Sequence, residues 1–367
     1  KRQSALLLVS FIHRNHYVIR LKFTKRIIRL LFTSSLIIFI PMILCFRFIL
    51  VNYCLVMLLP IVLVLANLIN YPVEQVIKKY YKKKAIKKID KMETLTKIAI
   101  TGSFGKTSTK DMIASVVGGH FITLKSELNH NNELGLPLTV MKLEEEHEAL
   151  VTEMGMRGLG QIEYLSEIVH PDIAVITNIG ISHLETLGSR KNILRAKLEI
   201  CKGMKPGTKL ILNGDNDMLS DEVLVRNILN EYGADGIEII YFGTEENSDY
   251  RAENIHGSNY ELLTPAGRRF DVRLQVPGVH NVYNSMAAVC AANAVGISTE
   301  EAVDTLSVFG EEASRQKIVE MPWGFIIDDT YNAGPESMAA SLSVLRDMQA
   351  DLKVAALGDM LELGTLS

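Results

Sequence analysis

The chain has 367 residues, 48% of them hydrophobic and 22% charged, with a formal net charge of −3. This composition excludes a collagen-like, a wholly disordered and a disulfide-scaffold protein. The small net charge hides a division: residues 1–91 carry 17 Lys/Arg against two acids, Glu74 and Asp90, whereas residues 92–367 carry 22 basic and 40 acidic side chains. One chain thus joins two physically different polypeptides, and the second is long enough for about two domains at ~150 residues each. Cys45, Cys54, Cys201 and Cys290 lie singly in apolar or helical patterns and read as free thiols of a reducing compartment. Residue 1 is Lys and the chain stops shortly after an apparent strand that precedes Gly358, as expected of a chain incomplete at both ends.

Residues 30–69 contain one charged side chain, Arg47, between apolar runs at 30–46 and 48–69. Each run is close to the ~20 residues a helix needs to cross a bilayer. Pro41 and Pro60 interrupt them, which membrane helices tolerate. A signal peptide fits poorly, since the stretch is long and no small-residue cleavage site precedes the basic run at 78–91. A buried soluble hairpin is the other alternative. Basic residues from Arg14 to Arg29 and from Lys78 to Lys91 flank the runs, which predicts cytoplasmic ends and a tight turn near Arg47 outside. The run YPVEQVIKKYYKKKAIKKIDK mixes Tyr with Lys, as nucleic-acid patches do. Directly after a span it reads instead as a juxtamembrane segment held against anionic lipid, with no nucleic-acid partner.

The second polypeptide opens with KIAITGSFGKTSTKDMIASVV, in which 97–101 are β-favouring and 106–117 have helical periodicity. Between them lie Gly102, Ser103, Phe104, Gly105, Lys106 and Thr107, followed by Ser108 in the first helical turn. The glycines let backbone N–H groups approach phosphate, Lys106 supplies charge, Thr107 can ligate Mg²⁺ and the helix start favours an anion. The strict P-loop spaces its glycines by four residues and here two intervene, yet the strand-to-helix context predicts a nucleoside triphosphate site. Further strands are predicted near 148–153, 173–177, 208–212 and 238–242, with helices near 159–168, 190–204 and 217–230. Their alternation predicts an α/β fold with a mostly parallel sheet covered on both faces. Residues 250–276 predict a small antiparallel excursion.

Five further residues stand out. Glu153 ends a strand beside the loop, where a carboxylate can ligate Mg²⁺ or simply be solvated. Lys197 falls inside the helical apolar stripe of Ile193, Ala196, Ile200, Cys201 and Met204. A buried ammonium is costly, so this one must be paired, neutralised or modified unless it snorkels to water. His280, Asn281 and Asn284 open a helix after Pro277 and Gly278, where an Asn can read an adenine edge or cap the helix.

The motifs TGSFGKTSTK (101–110), NHNNELGLPLT (129–139), TEMGMRGLGQI (152–162), ITNIGISHLETLGS (176–189), RAKLEI (195–200), PGVHNVYN (277–284), DDTYNAGPESM (328–338) and LGDMLELG (357–364) stand in one order. In these the chain resembles the Mur ligases, ATP-dependent amide-forming enzymes of peptidoglycan synthesis, over about 92–367. The shortened P-loop is itself a feature of that family. The resemblance implies an ATP-binding central domain at 92–313 and the beginning of a Rossmann-like C-terminal domain at 314–367, preceded by the membrane anchor at 1–91. It implies two Mg²⁺ sites with His183 as a ligand beside Thr107 and Glu153, and a CO₂-derived carbamate on Lys197. It puts Asn281 near adenine, Arg315 on phosphate and Asp329 on ribose. Asn129, Asn132, Glu133, Tyr331 and Asn332 fall to the substrate side, although 129–133 also suits a plain turn. The implied reaction activates a muropeptide-type carboxylate as an acyl phosphate and joins it to an amino acid or dipeptide amine, D-alanyl-D-alanine on a muramoyl tripeptide. The implied place is a bacterial inner membrane, with the catalytic part in the cytoplasm. A ligase of folylpolyglutamate or cyanophycin type, or a membrane-bound P-loop ATPase, would share several of these features.

Overall fold

A computed structural model describes residues 24–44, 57–127, 130–310, 317–330, 333–360 and 363, which fall into two units divided between Lys79 and Tyr80. The first unit holds α1 (Lys25–Leu44) and most of α2 (Leu59–Ile89). Both helices are long and apolar enough to cross a membrane by length and composition. Asn70 Nδ2 donates to Thr33 Oγ1 at 3.1 Å and Arg29 pairs with Glu74, so polar groups of the two helices meet. Phe39, Ile43, Leu44, Leu68 and Ile69 are exposed. The apolar run ends at 69, and α2 continues beyond it through Pro72 to Ile89. Lysines are good helix formers, so the basic run prolongs the helix instead of ending it. The predicted turn near Arg47, with Cys45 and Cys54, lies outside the described residues.

The second unit is built on β1 (Thr96–Thr101), β2 (Thr123–Lys125), β3 (Ala149–Glu153), β4 (Ile173–Ile176), β5 (Lys209–Asn213), β6 (Glu238–Gly243), β7 (Tyr250–His256), β8 (Asn259–Leu263) and β9 (Arg269–Arg273). They form one sheet in the order β2-β3-β1-β4-β5-β6-β7-β8-β9. The pairs from β2 to β7 are parallel, with Ile98 opposite both Val151 and Ile173. The β7-β8 and β8-β9 pairs are antiparallel, so the predicted excursion at 250–276 extends the same sheet.

Side chains alternate across each strand, and the sheet is covered on both sides. Ile98, Ile100, Val151 and Val175 pack with α3 (Lys106–Gly118), α9 (Val279–Ala294) and α10 (Thr299–Ser307). Ala99, Leu150, Ala174, Ile176 and Leu212 pack on the other face with α4 (Gly135–Val140), α5 (Gln161–Val169), α7 (Arg190–Leu198) and α8 (Glu222–Glu231). Each such Val, Leu or Ile, fully buried, contributes about 1.5–3 kcal/mol relative to exposure. The predicted helix at 190–204 proves to be α7 followed by a 3₁₀ segment, Glu199–Gly203. The predicted helix at 217–230 starts later, because Asp221 accepts the Leu224 N–H and sets the cap there.

β10 (Lys317–Met321) and β11 (Gly324–Asp328) form a separate two-stranded ladder, followed by α11 (Pro335–Asp347). The apparent strand before Gly358 is corrected: residues 352–360 join no ladder, and Leu352, Val354 and Leu357 are exposed. An apolar run becomes a strand only where a neighbouring edge accepts its hydrogen bonds, and none does so among the described residues.

One polar tie crosses this scaffold on the α9 side. Asp215 accepts from the Thr244 N–H at 2.8 Å and from the Tyr283 hydroxyl at 2.7 Å, joining the β5 and β6 ends to α9. Burial, and then the bond to Asp215, pushes the Tyr283 phenol up to about 12. Tyr283→Phe should cost about 1 kcal/mol in denaturant unfolding, with the denaturant dependence unchanged.

Candidate active site

Strand β1 ends in Thr101, and the chain turns sharply into α3 through Gly102 and Gly105. Gly102 has φ +149°, and a Cβ there would stand 1.9 Å from Thr177 Oγ1. Gly105 has φ +78° and is the N-cap of α3. The loop is cradled from the end of β4: Asn178 Oδ1 accepts the Ser103 and Phe104 N–H groups at 3.1 and 3.0 Å. Thr177 Oγ1 donates to Phe104 O at 2.6 Å. Two loop amides are thereby satisfied from within, while the N–H groups of the first turn of α3 have no intrahelical acceptor, and a helix start of this kind favours an anion. The Lys106 ammonium lies over the loop, donating to Gly102 O at 2.8 Å and Ser103 O at 3.1 Å.

Glu153 sits at the C-terminal end of β3, next to β1, and is 5% exposed. Thr107 Oγ1 donates to its Oε2 at 2.5 Å and Asn131 Nδ2 to its Oε1 at 2.8 Å. The Glu153 N–H donates to Ser126 Oγ at 3.0 Å, and the buried Lys110 ammonium donates to Ser126 O at 3.0 Å. Sequence reading missed Asn131, Ser126, Lys110, Thr177 and Asn178. Asn131 lies one residue from a position it did single out, and its signal was the polar loop itself; Ser126 carried none. Ser126→Ala should loosen the strand end that aims Glu153 and cost about 1 kcal/mol in denaturant unfolding.

Lys197 is 1% exposed and is among the largest fully buried side chains of the described residues. Burial holds its ammonium well below the usual lysine range; the Lys106 charge acts in the same direction and Glu153 opposes it. The apolar stripe therefore does bury this lysine, and it does so within electrostatic reach of both Lys106 and Glu153. His183 is half-buried and caps α6 (Leu184–Leu187) in the left-handed conformation, φ 67°. The loop before it is pinned: the Gly180 N–H donates to Ser103 Oγ at 2.9 Å and the Ile181 N–H to Glu336 Oε1 at 3.0 Å.

Asn281 is 2% exposed, with its Nδ2 donating to Pro277 O at 2.8 Å and its Oδ1 accepting from Asn284 Nδ2 at 3.0 Å. Asn284 Oδ1 in turn accepts from Thr109 Oγ1, tying α9 to α3. Burial lowers the His280 pKa, and the Asp329 charge opposes the shift. Asp329 accepts the Ser341 hydroxyl. Asn132 is exposed and caps the turn into α4 through the Leu134 and Gly135 N–H groups; Glu133 is half-buried. Asn129, Arg315, Tyr331 and Asn332 lie outside the described residues. Among the described residues no three of His, Cys, Asp and Glu converge on one point.

These features define a P-loop α/β domain with a buried carboxylate and a buried lysine at the loop. The Mur ligase middle domain matches residues 100–292, and the chain belongs to the Mur ligase family. It is 40% identical over 272 residues to UDP-N-acetylmuramoyl-tripeptide–D-alanyl-D-alanine ligase of Bacillus subtilis, covering 73% of this chain and 57% of that one. Among solved structures it is similar to MurF from Acinetobacter baumannii, with TM-score 0.73 and 36% identity over 79% of this chain and 62% of that one. It is also similar to the MurF ligase of Thermotoga maritima in complex with ADP, with TM-score 0.67 and 28% identity over 79% of this chain and 65% of that one. The chain thus spans a little under three fifths of the length of its Bacillus relative.

Proposed function

We propose that this chain belongs to an ATP-dependent amide-forming ligase of peptidoglycan precursor synthesis, which joins D-alanyl-D-alanine to a muramoyl tripeptide. The observation that carries the reading is the meeting, at a phosphate loop, of Thr107 with the buried Glu153 and of Lys197 within electrostatic reach of both Lys106 and Glu153. The names of its relatives supply the substrates. We propose three parts, an anchor at 1–91, an ATP-binding domain at 92–313 and the beginning of a Rossmann-like domain at 314–367. The two apolar helices would hold the protein in the bacterial inner membrane with the ligase body in the cytoplasm.

In this reading the γ-phosphate of ATP rests on the start of α3, and Lys106 moves from its loop carbonyls onto the phosphate oxygens. Gly102 to Ser108 enclose the phosphates. Asn281, Arg315 and Asp329 hold the nucleoside and its phosphates, Asn281 by exchanging one of its present amide partners. Thr107, Glu153, His183 and a carbamate on Lys197 would hold Mg²⁺. A hydroxyl beside a carboxylate is a hard-oxygen donor set that suits it, and the sparse protein ligation fits a cation whose remaining positions go to phosphate and water. When bound, Mg²⁺ neutralises charge on the transferring phosphoryl group. Burial favours the neutral form of the Lys197 amine, the form that adds to CO₂ with loss of a proton. The substrate carboxylate attacks the γ-phosphorus, ADP leaves and an acyl phosphate forms. The incoming amine adds to its carbonyl, and phosphate leaves the tetrahedral intermediate. Asn129, Asn132, Glu133, Tyr331 and Asn332 would orient the muropeptide.

The test is phosphate release by the full chain in detergent. Release should require ATP, the UDP-linked tripeptide and D-alanyl-D-alanine together. Equal hydrolysis without any amine would replace the ligase reading by that of a P-loop ATPase.

A further inference from the structure

Glu336 is the second residue of α11, after the cap Gly334 and Pro335. An acid in a first helical turn usually serves its own helix, through the amides and the dipole there. Here the turn is closed without it: Ser337 Oγ accepts the Gly334 N–H at 3.2 Å and donates to Gly334 O at 3.1 Å. The Glu336 carboxylate reaches outward instead, and its Oε1 accepts the Ile181 N–H at 3.0 Å. The approach requires a glycine opposite, because a Cβ on Gly180 would stand 2.4 Å from Glu336 Oε1 and 2.9 Å from its Cδ. Eight residues on, along the same face of α11, Val344 is buried and lies 2.9 Å from where a Cβ of Gly278 would be. Near both of its ends, α11 is seated on the P-loop body.

Residues 179–181 are held from three directions. Arg190 Nη2 donates to Ile179 O at 2.9 Å, and Arg190 Nη1 donates to Asp217 at 2.6 Å. Ser103 of the phosphate loop accepts the Gly180 N–H at 2.9 Å. Glu336 takes the next amide. The bond to Asp217 raises the Arg190 pKa and the Glu336 charge adds to the rise, so the acid also acts on the first of the three ties. Two residues after Ile181 comes His183, left-handed at φ 67°, a conformation that a non-glycine residue keeps only where its surroundings impose it. The aim of its imidazole therefore depends on the backbone just before it.

We propose that Glu336 is a positioning residue for His183: by accepting the Ile181 N–H it ties the aim of that imidazole to the seating of α11. The inference rests on the ligase reading above, in which His183 faces Mg²⁺, and adds a residue that reading does not use. Ser103 and Glu336 hold neighbouring amides, so one loop is fixed at once by the phosphate loop and by a helix 155 residues away in sequence. When α11 lifts, Ile181 loses its acceptor and the loop keeps only its ties at 179 and 180. The step that needs His183 then proceeds only with α11 in place.

The experiment follows amide hydrogen exchange in the full chain in detergent, resolved to single residues by mass spectrometry, beside phosphate release with ATP, the UDP-linked tripeptide and D-alanyl-D-alanine. In Glu336→Ala the Ile181 amide should exchange about tenfold faster, while the Gly180 amide, held by Ser103, stays protected. The kcat should fall about tenfold with KM for ATP changed by less than about twofold, the pattern of a misplaced group rather than lost binding. Glu336→Gln keeps an acceptor oxygen and should restore most of both, whereas a role in the helix dipole would vanish with the charge. Gly180→Ala should push the carboxylate aside and reproduce the Glu336→Ala values, and the two together should add nothing further. Unchanged Ile181 exchange in Glu336→Ala, an unchanged kcat, a Gln variant as impaired as Ala, or additive effects in the double variant would each overturn the proposal. No phosphate release by the wild-type chain would overturn the ligase reading instead, and Ile181 exchange would still decide whether Glu336 holds the loop.

Discussion

Lys197→Met will abolish phosphate release and raise the melting temperature of the ligase body. The native side chain places an amine in an apolar helix stripe, with burial and Lys106 both disfavouring its charge. Removing a buried ionisable group in favour of an apolar one of similar volume stabilises by about 1–4 kcal/mol, which is several degrees for a body of this size. The pH dependence follows from linkage. The folded pKa lies well below the unfolded value of ~10.4, so between the two the unfolded chain binds the extra proton. Wild-type stability therefore rises with pH through that window, and the advantage of the Met variant shrinks as pH approaches ~10. Thermal melts of both proteins in CO₂-free buffer from pH 6 to 10 measure it. Activity moves the opposite way: loss of one charge-stabilising group at a reacting centre costs about 10²–10³-fold. Lys197→Ala leaves space, so formate or acetate should restore part of the turnover if a carboxylate-like group is what the site needs. Unchanged turnover in either variant would remove the carbamate from the mechanism.

Gly102→Ala will destroy the nucleotide site by a different route. The new Cβ would stand 1.9 Å from Thr177 Oγ1, 3.1 Å from its Cβ and 3.2 Å from its backbone nitrogen, at φ +149°. Thr177 cannot rotate away cheaply, because its hydroxyl holds Phe104 O. Overpacking and backbone strain together should cost roughly 2–4 kcal/mol in urea unfolding, and ATP affinity should fall at least tenfold. Adding Thr177→Ala removes the closest atom but neither the backbone nitrogen nor the strain. The double variant should therefore recover stability only in part, and full recovery would show that the loop tolerates a side chain there.

The phosphate loop was legible in the sequence because its residues are contiguous and each has a chemical reason for its place. The strands at 97–101 and 173–177 were legible because parallel strands buried on both faces are continuous apolar runs. The partners of Glu153 were not. Thr107 could be guessed, but Asn131 reaches the carboxylate from a loop and Ser126 accepts the Glu153 N–H from a strand end, and only the fold brings them together. Lys197 was legible as a burial problem, while the charges beside it came only with the tertiary structure. β2 is three residues long, too short to leave a pattern.

Among the described residues the two edge strands of the sheet, β2 and β9, each pair on one side only, and an unpaired edge is a template for aggregation wherever protein is crowded. The two borders differ. β2 offers three residues, ending in Lys125, too little backbone to recruit a long strand. β9 turns Arg269, Asp271 and Arg273 outward while Phe270 and Val272 face inward. A second molecule pairing there would have to bring its own charges against that alternating row. The body is thereby shielded from sticking to its neighbours through backbone pairing, a protection its apolar core could not provide.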